Sequence, residues 1–532
     1  MTSEPVLADP ESNPAASWAL DPALVRRLAA LVVAGPDAHR LVTHAPFTGA
    51  PAASLPLSTP ADVEVAVARG RAAQRSWAQR SVRDRAAVLL RLHDLVLQRQ
   101  GEGIDILQTE TGKARLHAYE EIADVAVNCR WYARRASRLL ADRRRRGLVP
   151  GLTTVREVRH AKGVVGVIAP WNYPLTLAVT DSLPALVAGN AVLLKPDSQT
   201  AVIALWAASL FAEAGLPEHL FQVVLGDGPV IGSAVVDRCD HIGFTGSTAT
   251  GRLVAQRAAG RLVGSSLELG GKNAVYVAED ADLGRAAEAV VRDCFGNAGQ
   301  LCVSMERMIL HERIADAFLD RFIDRVRHLR LGPAMDFSCD LGSLISQAQL
   351  DRVQAHVDDA VAHGARVLVG ARARPDLGPY FFEPTVLEGV PVEAQCYAVE
   401  TFGPVVSVFR VGSDGEAVNL ANGTEYGLNG SVWTKDVRRG VRLARQVQAG
   451  TVVVNEAYTA SWGSVAAPMG GRKQSGLGRR HGAEGLLRYT EVQTIAAQRI
   501  GLGLIYSQGG ERFAATFNAL LRASRKTRFP WP

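Results

Sequence analysis

The sequence predicts a doubly wound α/β fold, and three observations carry the prediction. Short apolar runs of strand length alternate with stretches in which apolar residues recur at three- and four-residue spacing. Gly and Pro punctuate the joins. After Glu268 the alternation starts afresh, which indicates a second α/β unit. Short buried strands joined by helices build a parallel sheet, and such sheets receive ligands at the carboxyl ends of their strands. At roughly 100–200 residues per domain, a chain of 532 residues has room for several domains with sizeable cores.

Residues 1–20 are rich in Pro, Ser, Ala and acids, lack periodicity, and read as a flexible leader without chemistry. Amphipathic helices follow over Ala61 to Gln79, Arg83 to Gln100 and Glu120 to Leu140. The run Arg143 to Arg146 reads as a solvated helix end. Next come the apolar run Gly163 to Ala169, a turn at Pro170 to Pro174, a helical stretch, and a second run at Ala191 to Leu194. A helix from Gln199 to Ala214 stops at Gly215 and Pro217. Runs at Phe221 to Leu225 and His241 to Phe244 enclose another helical pattern, so PWNYP, KPDS and GFTGS all fall on strand ends. The second unit contributes strands at Asn273 to Val277, Arg307 to His311, Val405 to Arg410, Gly430 to Trp433 and Thr451 to Asn455. Its helices run to about Phe295, to Arg327, and from Gln347 to His363. In the tail, Phe513, Phe517, Leu520 and Leu521 share a helical face bordered by Arg512, Arg522, Arg525, Lys526 and Arg528. Such a basic amphipathic helix suits a partner subunit better than a membrane surface.

Composition removes several classes. Hydrophobic residues at 47% and charged residues at 21% are ordinary globular usage, which excludes disorder and collagen-like chains. The formal charge of +6 is small for this length and concentrates in the Arg run and the tail, so no nucleic-acid partner is implied. Gly163 to Thr180 carries no charge, but Pro170, Asn172 and Pro174 interrupt it, so it is not a membrane span. The N-terminus shows acids rather than an apolar run, hence no secretory signal. The six cysteines include no C-x-x-C pair, so no metal site is expected and a reducing, cytoplasmic setting fits.

Anchors for serine hydrolase, P-loop and zincin chemistry are missing: there is no G-x-S-x-G, G-x-x-x-x-G-K-[ST] or H-E-x-x-H. Gly243-Phe244-Thr245-Gly246-Ser247 ends a strand and opens a helix, which suits a phosphate at a helix N-terminus. Its spacing is not G-x-G-x-x-G, so on its own it fits a dinucleotide site and a tight βα turn equally. Cys302 sits among glycines at an element boundary, where a reactive thiol or a small buried hydrophobe are both chemically sensible. Glu268, beside Gly270 and Gly271, is either a functional acid or a capping charge.

Taken together, the motifs resemble one family. Pro170-Trp171-Asn172-Tyr173-Pro174, Lys195-Pro196, Gly243 to Ser247, Glu268 to Lys272, Gly299-Gln300-Leu301-Cys302, Glu400-Thr401-Phe402-Gly403-Pro404 and Pro468-Met469-Gly470-Gly471 with Ser475-Gly476 have the order and spacing of the aldehyde dehydrogenase superfamily. The resemblance covers about residues 40 to 500. Lys195 to Thr200 and Gly478-Arg479-Arg480-His481-Gly482 look most like bacterial NADP-type succinate-semialdehyde dehydrogenases.

The resemblance implies a Rossmann-like cofactor domain (21–146 and 161–268), an α/β catalytic domain (269–480), an oligomerisation element (147–160 and 481–505) and a C-terminal extension (506–532). It also implies a homodimer or homotetramer. Cys302 would attack the aldehyde as thiolate, with the Asn172 amide and the Cys302 N–H holding the oxyanion. Glu268 would activate the water that opens the thioester. NADP, or NAD, would meet Lys195 and Ser198 at the adenosine ribose, Gly246 and Ser247 at the pyrophosphate, and Trp171, Asn172, Leu269, Glu400 and Phe402 towards the nicotinamide. With those three catalytic residues all present, a catalytically silent binding protein is the weaker expectation. Three departures stand out. Ser198 replaces an acid common in NAD-preferring members, which removes a like-charge penalty of roughly 4 kcal/mol against a 2′-phosphate. Thr180 and Gly296 stand where some semialdehyde dehydrogenases carry arginines for a distal carboxylate, which leaves a broad-range aldehyde dehydrogenase as the alternative. Arg480 replaces the acid that commonly follows Gly-Arg. For the distal carboxylate, Ala457 to Ser464, with Ser461 and Ser464, and the Arg130 and Arg134 side of the preceding helix remain as candidates.

Overall fold

A computed structural model describes residues 20–147, 153–458, 463–498 and 509–526. In chain order its strands are β1 (Arg40–His44), β2 (Pro51–Pro56), β3 (Arg143–Arg145), β4 (Thr153–Ala161), β5 (Val164–Ile168), β6 (Ala191–Lys195), β7 (Phe221–Val223), β8 (His241–Thr245) and β9 (Gly264–Glu268). These are followed by β10 (Asn273–Val277), β11 (Met305–His311), β12 (Arg366–Val369), β13 (Thr385–Glu388), β14 (Val405–Val411), β15 (Gly430–Trp433), β16 (Val453–Val454), β17 (Gly476–Leu477) and β18 (Thr490–Gln498).

Two doubly wound sheets dominate. The first has the order β17-β9-β8-β5-β6-β7, parallel except for the β17 edge. From β5 the chain winds outward to β6 and β7, then returns to β8 on the other flank. The strand order therefore reverses at β5, and the loops after β5 and β8 open on the same crevice. The second sheet has the order β12-β13-β14-β11-β10-β15-β16, with only β12 antiparallel. Val164 to Val167 and Ala191 to Leu194 are buried because helices cover both faces of the first sheet, which is why these strands are apolar without alternation. β17 lies late in the chain yet adds to the first sheet, pairing Gly476 with Glu268 and Leu477 with Leu267. A third, three-stranded antiparallel sheet has the order β18-β4-β3.

Several elements depart from the sequence expectation. Arg143–Arg145 is a strand, not a helix end: the helix Arg115–Leu139 has already stopped, and Arg145 pairs with Glu157 of β4. A separate helix, Gln100–Thr111, continues where the second amphipathic pattern ended. Its Gly103 lets the Trp206 ring approach, since a Cβ there would lie 2.9 Å from Trp206 Cη2, and such small residues dilute the periodicity. The hairpin β1–β2 and the short strands β12 and β13 carried no legible pattern. Of the leader, residues 1–19 lie outside the described residues, while Leu20 packs into the core. The tail is helical over Gly510–Lys526, with Phe513, Leu520 and Leu521 exposed; Arg528 lies outside the described residues.

A buried ion pair sets the loop after β5. Lys113 and Glu121 are both essentially inaccessible, and Lys113 Nζ donates to Glu121 and, at 2.8 Å, to the carbonyl of Asn172. The other Glu121 oxygen accepts from the backbone N–H groups of Leu175 and Thr176 at 2.9 and 3.0 Å, capping the helix Pro174–Val187. Lys113→Met strands a buried carboxylate and is expected to cost about 3–5 kcal/mol, read from the urea midpoint. Adding Glu121→Gln should recover part of the loss, because the amide oxygen still accepts a helix N–H. An unchanged midpoint in the single variant would show that the pair does not brace the loop.

Candidate active site

The cysteine loop sits between the helix Leu283–Phe295 and β11. Asn297 and Ala298 both have φ of +53° and Gly299 has φ of +70°. A Cβ at Gly299 would lie 2.0 Å from the Gly403 carbonyl oxygen, so only glycine lets the cysteine loop and the Phe402 loop touch. Asn273 fixes the end of the loop, donating to the carbonyls of Cys302 at 2.7 Å and Ser304 at 2.8 Å. Asn429 donates to the Val303 carbonyl at 3.1 Å. Asn172 binds the other side: its Nδ2 donates to the Gln300 carbonyl at 3.0 Å, which orients the amide and leaves its second N–H for another acceptor.

A cleft of about 210 Å³ gathers these residues. Asn172, Glu268 and Cys302 line it together with Trp171, Gly246, Ser247, Leu269, Glu400 and Phe402. Ser247 caps the helix Thr248–Gly260, so the N-terminus of that helix opens on the cleft. The Gly246 N–H donates to the Glu268 carbonyl at 3.1 Å, and the Leu269 N–H to the Ser475 carbonyl at 2.9 Å. Trp171 and Phe402 meet edge to face at 5.5 Å. A second buried pair, Lys272 with Glu306, holds the opposite wall: the Glu306 carboxylate accepts from the N–H groups of Thr401 and Phe402, each at 2.8 Å. Glu400 accepts from the Gly271 N–H at 2.8 Å.

Lys195 and Ser198 lie outside this lining. Lys195, at the end of β6, is a buried cation with no hydrogen-bond partner among the described residues; burial lowers its pKa, against the pull of Asp197 and Asp227. Ser198 opens the turn Ser198–Thr200 and donates to the Gly226 carbonyl at 3.3 Å, while the preceding acid, Asp197, accepts from the Gln199 N–H at 2.9 Å.

Electrostatically the cleft is crowded with acid. Burial pushes Glu268 up to about 8, opposed chiefly by Arg480 and Arg488. Burial likewise pushes Glu400 up to about 8, with Glu306 adding to it. Cys302 rises to about 12 through burial first, then through Glu400 and Glu268.

Tyr173 and Leu301, the neighbours of Asn172 and Cys302, line a second cavity of about 310 Å³. Its wall also includes Arg292, Glu120, Asp124 and Tyr458. Arg292 pairs with Glu120 at 2.5 Å and its guanidinium lies 5.4 Å from the Tyr458 ring centre. At the positions without arginine, Thr180 accepts from Arg480 at 2.6 Å, and Gly296 lies close to the Tyr458 hydroxyl. Arg130 and Arg134 are exposed and line neither cavity, and Ser461 lies outside the described residues. Sequence reasoning missed Lys113, Glu121, Glu306 and Arg352. Glu306 signals itself only as a charge beside an apolar run, and Lys113 and Glu121 lie in mixed polar segments without a signal. Arg352, which lines the cleft and donates to the Glu400 carbonyl, carries no signal at all.

A model described as the aldehyde dehydrogenase family matches residues 33–495. A protein of Mycobacterium tuberculosis (strain H37Rv) named "Putative succinate-semialdehyde dehydrogenase (NADP+) 2" is 54% identical over 454 residues, which is 85% of this chain and 88% of that one. The 3-sulfolactaldehyde dehydrogenase of Pseudomonas putida is 34% identical over 483 residues, covering 89% of this chain and 98% of that one. The solved betaine aldehyde dehydrogenase of Staphylococcus aureus, in complex with NAD+, superposes with a TM-score of 0.86 at 29% identity over 91% of this chain and 98% of its own. Because the family match and these relatives span most of its length, the chain belongs to the aldehyde dehydrogenase family.

Proposed function

We propose that the protein oxidises succinate semialdehyde to succinate through a thioester on Cys302, with NADP as its dinucleotide. One observation carries the chemistry: Asn172, Glu268 and Cys302 converge on a single cleft beside a helix N-terminus. The name of the mycobacterial relative supports the substrate and the cofactor. In this reading the first sheet carries the dinucleotide, the second carries Cys302, and the three-stranded sheet pairs copies of the chain. The exposed Val492 and Ile495 on β18 support that pairing.

The residues present fit a dinucleotide. The helix N-terminus at Ser247 accommodates a pyrophosphate, buried Lys195 lacks a partner that a ribose or phosphate oxygen would supply, and Glu400 is anchored to accept from a ribose hydroxyl. When bound there, the dinucleotide supplies the hydride acceptor. Cys302 gives its thiol proton to water and bonds its sulfur to the aldehyde carbon as the C=O π pair moves onto oxygen, and the Asn172 amide and the Cys302 N–H hold the oxyanion. Loss of hydride from that carbon leaves the thioester. Glu268 then takes a proton from water as the water oxygen bonds to the thioester carbon; the C–S bond breaks and Cys302 leaves as thiolate.

One observation favours a second reading, oxidation of uncharged aliphatic or aromatic aldehydes. Leu116, Ala123, Val127 and Leu301 make much of the second cavity apolar, and Glu120 and Asp124 would repel a distal carboxylate. Burying that carboxylate without a cation costs several kcal/mol, and Arg292 is already paired with Glu120.

Glu268→Gln should show one burst of reduced cofactor and then stall, because acylation precedes the step that needs the base. Cys302→Ala should lose the burst as well while still binding cofactor; loss of burst and steady state alike in Glu268→Gln points to a different base. Ser198→Glu should shift the ratio of kcat/KM values from NADP toward NAD by up to about a thousandfold, the size of the like-charge penalty; an unchanged ratio places the ribose elsewhere. A panel of aldehydes of equal length with and without a terminal carboxylate should show the highest kcat/KM for succinate semialdehyde. Equal turnover of butanal selects the broad-range reading.

A further inference from the structure

Arg480 occupies a place the mechanism above does not use. It follows β17, whose Gly476 pairs with Glu268, and its backbone bonds Met469 in both directions at 2.7 and 2.8 Å. The chain leading to Arg480 therefore wraps the end of β9 that carries the base. At Gly470, next to Met469, a Cβ would lie 2.9 Å from Glu268 Oε1. The Arg480 side chain is 4% exposed. Its Nη2 donates to Thr180 Oγ1 at 2.6 Å and stands 3.4 Å from Asp181 Oδ1, an oxygen that also accepts from Arg488 at 2.8 Å. One carboxylate is thus shared between two guanidinium groups. Arg480 Nε and Glu268 Oε1 are both buried and, among the described residues, both lack a hydrogen-bond partner.

We propose that Arg480 is a positioning residue for Glu268: a buried guanidinium, braced by Thr180 and Asp181, that favours the ionised form of the base that opens the thioester on Cys302. The inference rests on the reading of Glu268 as the hydrolytic base. Charged and titratable groups face Glu268 from every side. Arg479 and Arg480 come from the segment after β17, Arg488 from beyond the helix Gly482–Leu487, Asp181 from the helix Pro174–Val187, and Cys302 from the loop before β11. Asp124, on the helix Arg115–Leu139, faces Arg480 rather than Glu268. His481 is held neutral, pushed down to about 3 by burial and then by Arg480. Burial drives the Glu268 carboxyl up, and among the surrounding charges Arg480 opposes that rise most strongly. A carboxyl can take a proton only when ionised, so removing Arg480 displaces the rising limb of thioester hydrolysis to higher pH.

The test compares Arg480→Gln and Arg480→Lys by burst and steady-state kinetics across neutral to alkaline pH. Arg480→Gln should keep the burst, lose about tenfold of steady-state turnover below the midpoint, and regain wild-type turnover at high pH, as a displacement of one pH unit requires. Arg480→Lys, which keeps the charge, should restore the midpoint most of the way, and the aldehyde KM should stay unchanged in both. A wild-type midpoint in Arg480→Gln, or a loss equal at every pH in both variants, overturns the proposal. So does an effect confined to the KM of carboxylate-bearing aldehydes, which would make Arg480 a substrate anchor. Glu268→Gln separates the two layers: full turnover in that variant removes the base assignment itself, whereas a stalled Glu268→Gln beside an unshifted Arg480→Gln removes only the role of Arg480.

Discussion

Buried carboxylates that accept pairs of backbone N–H groups hold this site together. Glu121 takes the N–H groups of Leu175 and Thr176, Glu306 those of Thr401 and Phe402, and Glu110 those of Val202 and Ile203. Each carboxylate reaches a segment more than fifty residues away, and each segment borders a loop on the crevice. Two of the three are neutralised by a buried lysine, Lys113 or Lys272. Glu110 has no such partner among the described residues, and burial pushes it up to about 8 although its two N–H donors pull the other way. A buried ion pair contributes little net stability, but it penalises every arrangement in which one partner is left alone. Loops held in this way keep Asn172 and Phe402 on opposite walls of the cleft, within reach of the Cys302 loop that Asn273 pins from behind.

The same burial makes the chemistry electrostatically demanding. Burial drives Glu268, Glu400 and Cys302 all toward their protonated forms, and neighbouring acids add to it: Glu400 and Glu268 disfavour the Cys302 thiolate, and Glu306 disfavours the Glu400 carboxylate. A protonated thiol and a protonated base can neither attack a carbonyl nor activate water. The cleft therefore depends on cations placed around it: Arg352 behind Glu400, and Arg480 with Arg488 behind Glu268. Asp181, held below the usual carboxylate range by those two arginines despite its burial, keeps their charges apart from one another.

Much of the frame could be read from the sequence because its signals are local. Strands β5, β6, β8, β10 and β15 each hold a short, mostly apolar stretch; Asn172 lies four residues past the end of β5, Glu268 ends β9, and Cys302 lies three residues before β11. What stayed hidden is long-range. Arg480 and Thr180 are 300 positions apart, and no periodicity links them; Gly476 returning to pair with Glu268 is equally invisible from spacing. The arginine run at Arg143 misled for a different reason. Three charged residues look alike on a helix end and on an exposed strand, and only pairing with β4 decides between them.

Thr180 and Gly296 bring no cation of their own, but two guanidinium groups reach the space around them. Arg480 delivers its guanidinium to the Thr180 hydroxyl from the far end of the chain, and Arg292, on the helix that leads to Gly296, delivers another to the wall of the second cavity. Both arrive already paired with acids, Asp181 and Glu120. A substrate carboxylate meeting Arg292 must share it with Glu120, and a shared guanidinium can still donate because its planar fork carries five N–H groups. Charge alone therefore does not separate a semialdehyde acid from an uncharged aldehyde here. The deciding quantity is the geometry of the donors left over on Arg292 after Glu120 has taken its own, which is a property of the pair and not of either position alone.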